Sequence, residues 1–247
     1  MDKIQNIYDD ETFFNEYQKM RDRKLNANEL LEIPTITAML PDLKGKTILD
    51  LGCGSGGMSR FFIENGAKKV VAIDVSENMI NAAKNYNTEN IEYKVLPMEN
   101  LSEIDEKFDL IFSSLAFHYI EDFNKLISDI SKLLNQDGML LYSQEHPVTT
   151  ALIVPNDGKK YVEIDDKRYY LLSDYNNVSS RILDWNMCDV KKYHRNFETI
   201  INSLIKNNLN IIEIKEPSAS EQAIKLVPKY VYQKDRPLFL YVKAKKN

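Results

Sequence analysis

The sequence predicts an α/β protein, an open, doubly wound, mostly parallel sheet with helices on both faces. Three observations carry that expectation. Short runs rich in Ile, Val and Leu (TILDL, KKVVAIDV, IEYKVL, FDLIFSSL and GMLLYSQE) alternate with helix-like segments (MSRFFIENG, SENMINAAKNYN and DFNKLISDISKLLNQDG). Strands alternating with helices of this length form βαβ units, whose parallel strands are buried on both faces. Helix boundaries are marked, since Ser76 reads as an N-cap, and Asp137-Gly138 closes a helix and launches the fifth strand. The glycine-dense LDLGCGSGG at 49–57 lies between the first strand and the first crossover helix, where such sheets bind ligands.

The elements follow in order. DDETFFNEYQKMRDRKLNANELLE carries Phe13, Phe14, Tyr17 and Met20 at helical spacing, with Asp9 or Asp10 as its cap. Residues 45–147 hold the strand–helix alternation. Residues 148–195 break it with Tyr, Asp and Asn and with the alternating pieces KKYVEI and KRYYLL, which read as a hairpin or small lid. In 196–247, FETIINSLIKNN is an amphipathic helix, and NIIEIKE and RPLFLYVKAK are two further strands. The chain is expected to form one domain, with 1–44 as a helical lid.

Composition narrows the function. Hydrophobic residues make up 43% of 247, enough for a packed core, and the net charge of −5 disfavours a nucleic-acid partner. The basic clusters, Lys191-Lys192 and the tail at 243–246, read as solvated surface. Cys53 and Cys188 form no C-x-x-C, so neither a disulfide framework nor a metal site is signalled. No apolar run has membrane-span length and MDKIQNIYDDE lacks a signal-peptide core, so the expectation is a cytoplasmic protein with no membrane partner.

The glycine loop satisfies two signatures. Gly52, Gly54 and Gly57 spell the G-x-G-x-x-G of dinucleotide sites. Asp50 lies two residues before the first glycine, where its charge opposes a pyrophosphate and favours a cation. S-adenosylmethionine supplies cations in its sulfonium and α-ammonium groups. Asp74, 74 − 54 = 20 residues beyond Gly54, suits the ribose hydroxyls of either cofactor. A nicotinamide-dependent oxidoreductase is the alternative, although it gives Asp50 no role. A non-catalytic module that only holds the cofactor is another.

The ordered stretches LDLGCGSG, VVAIDVSENMI, FDLIFSSLAFHYIED and LLNQDGMLLYSQEHP resemble the class I S-adenosylmethionine-dependent methyltransferases over about residues 45–147. A fainter likeness, through FFNEYQKMR and VKKYHRNFETIINSLIKNN, points to a bacterial small-molecule group. The resemblance implies a Rossmann-like methyltransferase fold of seven strands, the last antiparallel and inserted between strands five and six. It makes 45–147 a cofactor-binding core, and the loop-rich 148–195 is expected to be a substrate-side insertion that shapes the pocket.

The resemblance also places Asp50, Gly52, Cys53, Gly54 and Gly56 around the methionyl moiety. It puts Asp74 on the ribose, and Val75 and Met79 beside the adenine. The family's acid after strand three is replaced by Pro97, leaving the Met98 backbone N–H or Glu99 for the adenine. Ser113, Leu115 and His118 would line the methionyl end. Tyr17 and Arg21, neighbours at i and i+4, would close the first helix over the cofactor, with Arg21 near its carboxylate. Set against these roles, Cys53 reads as a small residue beside the ligand rather than a reactive thiol, and Met79 and Met98 also suit core filling.

Methyl transfer from a sulfonium is an in-line displacement with an activated leaving group. Positioning alone contributes roughly 7–11 kcal/mol, and a base is needed only for a protonated acceptor. The three histidines fall after strand four (His118), after strand five (His146) and at the end of the insertion (His194). His146 is the leading base, His194 the second, and His118 an orienting group. Tyr193, Arg195 and Trp185 are expected pocket walls. SSLAF is not the Pro-Pro-aromatic motif of amino methylation, neither cysteine follows a proline, and no acids cluster for a metal. The expected reaction is therefore transfer to an O, N or S nucleophile of a small molecule, releasing S-adenosylhomocysteine.

Overall fold

The computed structural model describes residues 4–22, 25–86, 89–151, 160–165, 167–185 and 188–247, with the backbone alone at 21, 22, 183–185 and 188. The helices are α1 (Glu11–Asp22), α2 (Ile33–Ala38), α3 (Gly57–Glu64), α4 (Glu77–Lys84), α5 (Phe123–Leu133), α6 (Pro147–Thr150), α7 (Phe197–Lys206) and α8 (Glu221–Leu226). The strands are β1 (Thr47–Leu51), β2 (Lys69–Asp74), β3 (Ile91–Val95), β4 (Phe108–Ser114), β5 (Leu134–Glu145), β6 (Tyr161–Ile164), β7 (Lys167–Tyr170), β8 (Ser179–Trp185), β9 (Cys188–His194), β10 (Leu209–Lys215) and β11 (Phe239–Lys246).

Seven strands form one sheet in the order β10-β11-β5-β4-β1-β2-β3. Only β11 runs antiparallel to its neighbours, as the resemblance implied for the last strand. Alternate residues of each strand face opposite layers. Leu49, Leu51, Val71, Ile73 and Ile111 pack against Leu126, Ile127 and Ile130 of α5 and Ile200 and Leu204 of α7. On the other face Ile48, Val70, Ala72, Leu110 and Phe112 meet Phe62 of α3, Ile80 of α4 and Ile36 of α2.

Caps fix the crossovers. Ser76 Oγ accepts from Met79 N at 3.1 Å, as its position predicts. Asp122 and Asn196 do the same for α5 and α7. At Asp137-Gly138 the structure corrects the expectation. α5 already ends at Leu133, and Asp137, at φ +62°, turns the chain within β5 where its register with β4 shifts. The insertion forms two hairpins, β6–β7 from the alternating pieces and an unforeseen β8–β9. Among the described residues no helix is long and apolar enough to cross a membrane.

The first residues are tied down by side chains. Asp10 caps α1, accepting from Phe13 N at 2.9 Å. Asp9 instead reaches α4, where it accepts from Ser76 Oγ (2.6 Å), Asn78 N (3.0 Å) and Glu77 N (3.3 Å). Gln5 pairs with both backbone groups of Lys191 in β9. Fully buried Glu32, in the π-type turn Asn28–Glu32 that leads into α2, accepts from Ser143 Oγ (2.6 Å) and Ser114 Oγ (3.0 Å). Tyr241 Oη donates to Leu31 O at 3.4 Å. The N-terminal segment thus lies across the carboxyl ends of β2, β4 and β5.

Asp9→Ala should lower the unfolding free energy by about 1 kcal/mol, the usual cost of a lost cap. Amide exchange should quicken first over residues 4–10. A urea midpoint that does not move would show that the contact contributes nothing.

Candidate functional site

β1 stands between β4 and β2, where the strand order reverses, and a cavity of about 730 Å³ opens at the carboxyl ends of these strands. The loop leaving β1 must turn at once to start α3. Gly52 (φ +71°) and Gly56 (φ +74°) take left-handed conformations there. A Cβ on Gly52 would come within 2.7 Å of Ala116 Cβ, and one on Gly56 would strike the Tyr93 hydroxyl. Gly57 opens α3 with nothing within 4 Å of where its Cβ would stand, so the third glycine of G-x-G-x-x-G has no such need.

Asp50, on the buried end of β1, is 2% exposed, and Ser59 of α3 donates to its Oδ2 at 2.5 Å. Burial raises its carboxyl to about 7, with the nearby Asp74 charge adding to the shift and the Ser59 hydrogen bond opposing it. Asp74 accepts from Gly54 N and Ser76 N, each at 2.9 Å. Burial nevertheless lifts its carboxyl above the usual range. Two buried acids thus face a cavity in which a positive group would lower the energy of both.

The cavity is lined by Tyr17, Asp50, Gly52, Cys53, Gly54, Asp74, Val75, Met79, Met98, Glu99, Leu115 and His118 among the expected residues. Gly56 packs on Tyr93 instead, and Ser113 is absent from the lining because its Oγ donates to Leu51 O at 2.9 Å. The side chains of Arg21 and Trp185 lie outside the described residues.

The histidine assignments need correction. His146 does not line the cavity. Its Nδ1 accepts from Val148 N at 3.1 Å, capping α6, and its Nε2 lies 2.5 Å from Glu216 Oε1. His194 is fully buried, with Nδ1 2.8 Å from Thr150 Oγ1 and Nε2 donating to Tyr175 O at 2.9 Å. Both rings spend both nitrogens on structure, so neither is placed to act as a base. Tyr193 points to Glu121 (3.2 Å), and Arg195 donates to Phe117 O and Glu121 O, both at 3.3 Å. Neither walls the cavity, and Arg195 braces the turn that carries His118.

His118 does reach the cavity. Burial drives its pKa down to about 3, so the ring is neutral. Glu145 N donates to Nδ1 at 3.4 Å, which leaves the ring proton on Nε2. Beside it, Lys192 Nζ meets Glu145 Oε1 at 2.5 Å. Lys192 is only 7% exposed, which corrects its reading as solvated surface. Tyr8 and Tyr119, hydroxyls 3.4 Å apart, complete this side, and burial raises both well above the ordinary phenol value. Tyr119 and Glu145 adjoin residues already singled out at strand ends. Tyr8, Lys192 and Arg236 carry no signal in the sequence.

A family model described as a methyltransferase domain matches residues 49–142. An uncharacterized protein of Haemophilus influenzae is 39% identical over 97% of this chain and 96% of its own. A solved S-adenosylmethionine-dependent methyltransferase from Mesorhizobium loti is 32% identical, covering 90% of this chain and 98% of that one at a TM-score of 0.80. A Listeria monocytogenes structure proposed to be such an enzyme is 33% identical over 86% and 96% of the two chains, at 0.75. The chain belongs to the S-adenosylmethionine-dependent methyltransferases. It is an enzyme of that class, with S-adenosylmethionine as its cofactor.

Because folding raises the pKa of Asp50 above its unfolded value, its contribution to stability is fullest below about pH 4 and is lost as pH rises through about 7. Asp50→Asn should therefore stabilise the ligand-free protein at pH 8, by on the order of 1–3 kcal/mol. It should also flatten the decline between pH 5 and 7. Superimposable urea midpoint–pH curves for the two proteins would contradict this.

Proposed function

We propose that the enzyme passes the methyl group of S-adenosylmethionine to an O, N or S nucleophile of a small molecule, by in-line displacement inside the cavity between β1, β2 and β4. The observation that carries this is Asp50, a buried carboxylate whose side-chain hydrogen-bond partner among the described residues is a single hydroxyl. The cationic methionyl half of the cofactor satisfies it, and a pyrophosphate would not. Gly52, Cys53 and Gly54 let the backbone approach that half. Asp74 retains lone pairs for the ribose hydroxyls, while Val75, Met79, Met98 and Glu99 border the adenine. Tyr17, with Arg21 beyond it on the same helix, closes the roof that the described part of the N-terminal segment forms.

A cavity of about 730 Å³ is of the size that holds small ligands. That supports a small acceptor over a macromolecular one. His118 offers its Nε2–H to orient the acceptor or the cofactor. With His146 and His194 occupied elsewhere, the acceptor reacts as a neutral amine or an already ionised group, and alignment supplies most of the rate.

Calorimetric titration with S-adenosylmethionine should give saturable binding that is at least tenfold weaker in Asp50→Asn. Affinity should climb up to tenfold per pH unit toward about 7 and then level, because cation binding draws the proton from Asp50. Absence of heat at millimolar cofactor would overturn the assignment. Formation of S-adenosylhomocysteine with an acceptor panel would separate an enzyme from a binding module.

A further inference from the structure

We propose that the methyl acceptor carries an oxyanion, a carboxylate or a phosphate monoester, seated against Arg236 and Gln233 in a second cavity that adjoins the first. This rests on the methyl-transfer reading and adds the chemical class of its substrate. The second cavity holds about 700 Å³, and Met20, Asn26, Ala27 and Arg236 line both, so the two spaces adjoin across these side chains. Among the described residues its lining includes Arg168, Lys229 and Arg236 but no Asp or Glu, in a chain of net charge −5. Such a concentration of positive charge on an acidic protein selects anions.

Two donors point to what fills it. Gln233 is 7% exposed, and its amide Nε2 is buried without a hydrogen-bond partner among the described residues. Arg236 Nε is buried in the same condition, although the Glu145 carboxylate and Tyr170 act on its charge from nearby. Buried donors are nearly always satisfied, so two unsatisfied ones in one cavity call for an acceptor brought by a ligand. The neighbouring Arg168 differs. It lies between Tyr161 (4.2 Å) and Tyr232 (4.0 Å), and its Nε donates to Glu163 at 2.7 Å, so its charge is already engaged. Arg236 rests on the Tyr170 face at 4.3 Å, which fixes the guanidinium plane and leaves its N–H edge for a planar or tetrahedral oxyanion. The anionic end would sit there while the nucleophile extends past Arg236 toward His118.

The test titrates the full chain, saturated with S-adenosylhomocysteine, with inorganic phosphate and separately with butyrate. Binding of at least one of them is expected, weakened tenfold or more in Arg236→Met and several-fold in Gln233→Leu, the latter with S-adenosylhomocysteine affinity unchanged. The arm that binds distinguishes phosphate from carboxylate. If Arg236→Met does not fold, Arg236→Lys keeps the stacked cation but loses the fork, and should show the same loss. Neither anion binding, or equal binding by wild type and the Arg236 variant, would overturn the proposal. Anion binding that persists where S-adenosylhomocysteine fails to bind would support the anion site and reject the cofactor assignment alone.

Discussion

Burying the Asp50 carboxylate at the end of β1 strips an ionisable group of its water, and Ser59 offers one side-chain hydrogen bond in return. Much of the surrounding geometry follows from keeping it there. β1 must be a central strand, flanked by β2 and β4, for its end to be closed on both sides. The chain must leave β1 steeply, which demands the left-handed Gly52 and Gly56, and α3 must begin close behind so that Ser59 reaches back. The residual cost is one that a cation relieves, so the empty protein is least comfortable where its ligand belongs.

Around that centre, polar side chains act as fasteners. Glu32 binds the N-terminal segment to Ser114 and Ser143, Asp9 binds it to α4, and Lys192 brings β9 against Glu145. The corrected histidines join this group, His146 tying α6 to Glu216 and His194 tying Thr150 to Tyr175. Burial lowers the pKa of both rings, and each serves as a fixed donor and acceptor through its two nitrogens.

The parallel sheet was legible because each of its signals is local. Apolar runs of strand length, a Ser76 cap and a glycine loop next to Asp50 announce themselves within a few residues. Roles that depend on distant partners were not legible. His146 follows a core strand just as His118 does, yet α6 and Glu216 claim it, and no spacing in the chain declares that pairing. Lys192 sits in a basic dipeptide that looks like surface, and only the pairing of β9 with β8 turns it inward. Tyr8 and Arg236 enter the cavity walls from opposite ends of the sequence, and neither lies in a motif. Ser113 has the right position and the wrong partner, since its hydroxyl answers the Leu51 carbonyl across the sheet.

The fasteners of the N-terminal segment also span long stretches of chain. Gln5 meets Lys191 across 186 residues, Glu32 meets Ser143 across 111, and Tyr241 meets Leu31 across 210. Loops of that size close slowly, because their entropy must be lost before any contact compensates. The βαβ core closes shorter stretches, the widest being the pairing of β1 with β4, and can assemble as it is synthesised. Residues 4–38 must wait for β5, β9 and β11 to exist. A segment made before its partners is therefore among the later ones to find its place, and the cavity acquires its roof only after those strands have formed.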